Sequence, residues 1–73
     1  QGKLNTIPSS EKRKVIVFEY IMENFESDKQ YTYKKVNQIL KEICNDYVTI
    51  RRYLIDYGFM ERTKDCKLYW VKE

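Results

Sequence analysis

The clearest hydrophobic pattern in the chain runs from Asn45 to Gly58. Tyr47, Ile50, Leu54 and Tyr57 recur at three- and four-residue steps, which places them on one face of a helix. Asp46, with Asn45 before it, offers a cap for the first turn. Gly58 suits the left-handed position just past the last turn. The spacing predicts a helix over 46–57. At about 100° per residue Arg52 falls nearly opposite the apolar face, with Val48 and Thr49 on its flanks and Ile55 one turn on. The helix thus turns an apolar back to a core and an arginine outward.

Two helices precede it. Ser9 and Ser10 offer caps, and Glu11 suits a positive helix N-terminus. The run Val15-Ile16-Val17-Phe18 taken alone would suit a strand. Ile21, Met22 and Phe25, interleaved with Glu19, Glu23 and Asn24, restore the helical period and predict a first helix over 10–25. A polar loop follows, 26–30. Tyr31-Thr32 predicts a short strand, and Thr32 caps a second helix over 33–44. That helix buries Val36, Ile39, Leu40 and Ile43, while Lys34, Lys35 and Lys41 lie off this face. So little chain separates it from the next helix that the two must meet at a large angle.

After Gly58, the stretches 59–62 and 68–71 are rich in aromatic and β-favouring residues, with Thr63 to Lys67 between them. They predict a two-stranded hairpin. Trp70, Leu54, Leu40, Ile39 and Phe18 are expected in one core. Residues 1–8 are polar apart from Leu4 and Ile7 and end at Pro8, and are expected to be a mostly disordered arm pinned by Ile7. Residues 9–73 are expected to be one domain. The Gln1-Gly2 start reads as a cloning scar or the cut end of a larger protein.

Helix, short strand, helix, helix, hairpin is the order of an α+β winged helix-turn-helix: three helices, then a C-terminal hairpin wing. From Pro8 to Trp70 the chain also resembles a narrower group. The residues that carry this are Pro8 and Lys14, Tyr20-Ile21 and Phe25, Tyr31-Thr32, Val36-Asn37, Ile39-Leu40 and Asp46. Ile50-Arg51-Arg52, Leu54-Ile55-Asp56, Gly58, Arg62 and Tyr69-Trp70 complete the set. They resemble a bacterial family catalogued as a domain of unknown function, the 2087 family, found in chains taken for transcriptional regulators. The resemblance implies a winged-helix fold and, by association, DNA binding. Two departures stand out. The family tends to an acidic residue three positions after Thr32, which would close a capping box; here it is Lys35. Its hairpin turn tends to Asp-Gly; here it is Asp65-Cys66.

Charge adds a modest argument. The net charge is +3, compatible with nucleic acid without demanding it. The charges are segregated, however. Between 15 and 28 only Glu19, Glu23, Glu26 and Asp28 are charged, and between 29 and 41 only Lys29, Lys34, Lys35 and Lys41. Such blocks create faces of opposite sign.

The candidate chemistry is recognition rather than catalysis. No His is present, Ser9, Ser10 and Ser27 have no recognisable partners, and no Gly-rich phosphate loop occurs, so no enzymatic activity is expected. Without His or a CxxC pair no metal site is expected, and no cofactor. Cys44 reads as a small buried hydrophobe and Cys66 as an exposed turn residue. No run is long enough to span a bilayer and no signal-peptide pattern is present, so a cytoplasmic setting without membrane contact is expected.

For double-stranded DNA, Arg52 suits guanine in the major groove, with Thr49 beside it and Val48 against a thymine methyl. Lys34 and Lys35, early in the second helix, suit phosphates. Lys64 and Lys67 at the hairpin tip suit a neighbouring groove or backbone. The competing expectation is a protein-interaction or dimerisation module, reached through Val48, Ile55 or the acidic first helix.

Overall fold

Residues 7–72 are described by a computed structural model. The expected arm over 1–8 lies outside them except for Ile7 and Pro8, and Ile7 packs against the core.

Helix α1 spans Glu11–Met22. Ser10 caps it: its Oγ accepts the Arg13 N–H at 3.4 Å, and Glu11 lies in the first turn, where negative charge is favoured. The helix is shorter than the periodicity predicts. The Glu23, Asn24 and Phe25 N–H groups each bond three residues back, to Tyr20, Ile21 and Met22, so the chain tightens into a turn. Phe25 reaches the core from that turn, and its ring stands edge-on to Tyr31 at 5.1 Å.

Strand β1, Gln30–Thr32, leads directly into α2, Tyr33–Ile43. Thr32 Oγ1 accepts the Lys35 N–H at 3.1 Å. The hydroxyl half of the capping box is therefore intact although Lys35 offers no carboxylate in return. Cys44 ends the helix and is buried, as expected, with its thiol donating to the Leu40 carbonyl.

Helix α3, Tyr47–Asp56, buries Ile50 and Leu54 completely. The expected Asp46 cap is absent: its side chain makes no capping bond, and φ −96°, ψ 59° lies outside the extended region from which a cap reaches the first turn. The C-terminal expectation holds. Gly58 has φ +81°. The Phe59 N–H bonds to the Leu54 carbonyl and the Gly58 N–H to the Ile55 carbonyl, the paired bonds of a Schellman end.

Strands β2, Met60–Arg62, and β3, Leu68–Val71, form the expected hairpin, but the sheet has three antiparallel strands in the order β1-β3-β2. Tyr31 pairs with Tyr69, and Tyr69 with Arg62. This register corrects the expected core. Tyr69 is only 3% exposed and packs with Tyr31, Met60 and Leu40, while Trp70 is half-buried on the opposite sheet face. Neighbouring strand residues point to opposite sides, so only one of the pair can be buried. Trp70 Nε1 donates to Glu61 Oε1 at 3.0 Å across the strand pair. Ile39 is half-buried at the core margin.

Phe18 joins α1 to the rest. Its ring meets Tyr53, Tyr57 and Phe59 at 5.7, 5.1 and 6.1 Å. These rings hold α1 against the end of α3 and the start of β2, spacings at which aromatic pairs attract beyond their buried area. Among the described residues no helix is long and apolar enough to cross a membrane.

Candidate functional site

Three elements converge on one concave surface: the start of α2, the outer face of α3 and the β2–β3 loop. The loop is tightly tied. Thr63 Oγ1 donates to Asp65 Oδ1 at 2.6 Å and accepts the N–H groups of Lys67 and Leu68. Asp65 Oδ1 also accepts the Lys67 N–H at 3.1 Å. These bonds, the Thr63 hydroxyl foremost, hold the Asp65 carboxyl below its usual pKa. Cys66 takes φ +62°, the left-handed conformation that an Asp-Gly turn would fill with glycine. The Tyr33 N–H bonds to the Lys67 carbonyl at 3.1 Å, which fixes the loop to the first turn of α2.

Arg51 is the centre of this surface. Its guanidinium lies over the Tyr33 ring, 4.7 Å from the centroid, and donates to Asn37 Oδ1. Its side-chain partner is this carboxamide, and among the described residues no carboxylate pairs with it. The helix crossing brings α2 to the flank of α3, so Asn37 reaches the guanidinium. Tyr33 in turn stands 6.4 Å from Tyr69. Burial raises the Tyr69 phenol pKa, and the Arg51 and Arg62 charges oppose that rise.

Two adjoining grooves flank Arg51. One, about 580 Å³, runs between Tyr33, Lys34 and the loop at Cys66 and Lys67. The other, about 460 Å³, runs between Val48, Arg52 and Arg62. Arg51, Cys66 and Tyr69 line both. The fold therefore brings four of the expected residues, Lys34, Lys67, Val48 and Arg52, onto one continuous surface.

The other three stand apart. Lys35 lines a separate hollow with Gln38 and Glu42, because one further residue turns it about 100° around α2. Lys64 lies beside Glu61 and Trp70 on the far side of the hairpin. Thr49 is half-buried on α3 and lines none of these hollows. Arg51, Arg62 and Tyr33 belong to the surface but were missed as site residues. A helical wheel places Arg51 only at the boundary of the buried face, and no single-helix pattern announces a partner on another helix.

The family model described as "Uncharacterized protein conserved in bacteria (DUF2087)" matches residues 3–71. The chain belongs to that family. The resemblance drawn from Pro8 to Trp70 is thus borne out, and the match takes in every helix and strand of the DUF2087 domain. No curated protein matches it, and no solved structure does.

Acidic groups temper the surface charge of the DUF2087 domain. Asp56 faces the second groove and Asp65 the first. Asp65 is committed to the loop, and Glu61, behind the hairpin, is held by Trp70. Four cationic side chains, Arg51, Arg52, Arg62 and Lys67, thus border the grooves near Asp56 and Asp65, with Lys34 at the rim.

Proposed function

We propose that this is a DNA-binding winged helix-turn-helix domain of a bacterial transcription regulator, with α3 in the major groove and the β2–β3 hairpin as the wing. The observation that carries the reading is the continuous surface formed by the start of α2, the outer face of α3 and the loop. In the bound state Arg52 reads a base edge, with Val48 beside it against a thymine methyl. Lys34 and Lys67 contact phosphates on either side. Arg51 is held by Tyr33 and Asn37, so it orients the surface rather than probing bases. Thr49, Lys35 and Lys64 take peripheral roles, since none lines the two grooves. The domain acts by binding alone and performs no reaction.

A second reading is favoured by one observation. Val48 is 52% exposed, an apolar side chain lining the second groove. A module that docks a protein partner through Val48 and Ile55 would use it. Ile55 is half-buried and packed against the core, which leaves that patch small.

The deciding experiment is titration of the chain with mixed-sequence duplex DNA at several salt concentrations, followed by amide chemical shifts. With Lys34 and Lys67 each on a phosphate, log K falls against log salt with a slope of about −1.8. The shifts concentrate at Lys34, Val48, Arg52 and Lys67. A flat salt dependence, or no binding to any duplex at low salt, overturns the DNA reading.

A further inference from the structure

The outward face of α1 carries the two most exposed large apolar side chains among the described residues, Ile16 at 59% and Tyr20 at 67%. They lie one helical turn apart. On the wheel Lys12, Arg13, Glu19 and Glu23 all fall within about 60° of Ile16, and all four are exposed. The face therefore has an apolar centre, a positive end at the start of the helix and a negative end at its finish. None of these four charges makes an ion pair among the described residues.

This order of charges is unfavourable for an isolated helix. Cations at the N-terminus and anions at the C-terminus both oppose the helix dipole. Glu19 and Glu23, four residues apart, also repel each other. What relieves all of this at once is a second helix with the same pattern running the other way. A two-fold axis at the height of residue 18 sets Ile16 of one copy opposite Tyr20 of the other. The same symmetry sets Lys12 and Arg13 against Glu23 of the second copy, with Glu19 adding to the negative end. A self-complementary patch of this kind is what an isologous interface requires.

We propose that α1 is a homodimer interface, in which the outer faces of two copies pack antiparallel around Ile16 and Tyr20. The face lies on α1, outside the grooves around Arg51, so the proposal is independent of DNA binding. Two short helix faces bury less than the roughly 1,200–2,000 Å² of a stable complex, so the dimer is weak and concentration-dependent. Its charge pairs are exposed, so salt loosens it further.

The test is sedimentation equilibrium of the full chain from micromolar to millimolar concentration. The weight-average mass should climb from 9.0 kDa toward twice that value. The double variant Lys12→Glu/Arg13→Glu should remain monomeric, and so should Glu19→Lys/Glu23→Lys. An equimolar mixture of the two should associate again, because each then presents the charges the other lacks. Ile16→Ser and Tyr20→Ser should each shift the dissociation constant upward at least tenfold while the amide spectrum of the monomer stays folded. A chain that stays monomeric to millimolar concentration overturns the proposal. Self-association that survives Ile16→Ser, or a mixture of charge variants that stays monomeric, overturns it as well.

Discussion

The Tyr57 hydroxyl donates to Glu11 Oε1 at 2.6 Å, joining the end of α3 to the start of α1 across 46 residues of sequence. The carboxylate beside it pushes the phenol pKa from 10.0 up to about 12. A group whose folded pKa is raised stabilises the fold below its unfolded pKa and loses that effect as pH rises through the folded one. The stabilisation by this bond is therefore complete below pH 10 and gone above about pH 12. Tyr57→Phe should melt below the native chain at pH 8. The difference should close as pH rises through that window, as thermal melts followed by circular dichroism at each pH would show.

The two adjacent arginines of α3 should behave differently. Arg51 stacks on Tyr33 and donates to Asn37, so Arg51→Ala should lower stability by about 1–2 kcal/mol. Arg52 is exposed, so Arg52→Ala should stay within about 0.5 kcal/mol of the native stability. If Arg52 reads a base, the same change costs about 1–3 kcal/mol of duplex affinity. Urea melts and duplex titrations of both variants decide this. Loss of the fold in the Arg52 variant would mean that α3 is rotated from the orientation described.

Leu54 is fully buried between the helices and the sheet. Leu54→Ala should cost about 2–5 kcal/mol, because a small domain has little freedom to close the cavity. For a domain of this size that is a large share of the total stability. An unchanged melting temperature would place Leu54 at the surface.

The β2–β3 loop holds Cys66 at φ +62°, where a side chain is strained and glycine is not. Cys66→Gly should raise stability by about 0.5–1 kcal/mol, a gain limited by the greater freedom of glycine in the unfolded chain. At Gly58, φ +81° makes the opposite change costly: Gly58→Ala should destabilise by about 1 kcal/mol or more. No other atoms crowd a methyl there, so that cost is a backbone one. Melts of the two variants should move in opposite directions.

What was legible in the sequence follows from how local each cause is. Ile50, Leu54 and Gly58 were readable because a helix face and a helix end are set by residues a few positions apart. Tyr69 and Trp70 could not be told apart that way. Each is aromatic, and which one faces inward depends on the register with Tyr31, a partner nearly forty residues away. The Arg51–Asn37 bond was hidden for a similar reason, since it depends on how α2 crosses α3. Asp46 had the right chemistry for a cap but not the backbone conformation. Within the candidate site, Lys34 and Lys35 looked equivalent as neighbours, yet one helical step sends them to different hollows.

The order β1-β3-β2 has a kinetic consequence. The strand that holds the sheet together is the last of the three to be synthesised. Until Leu68–Val71 has left the ribosome, Gln30–Thr32 and Met60–Arg62 have no neighbour to bond with. Pairing Gln30 with Trp70 then closes a long loop, a step whose entropy cost is met before its contacts are gained. Helical turns can form earlier on the nascent chain, but the sheet forms only once Leu68–Val71 has emerged, in one step that joins both outer strands. A chain truncated before residue 68 should therefore carry helices and no sheet at all.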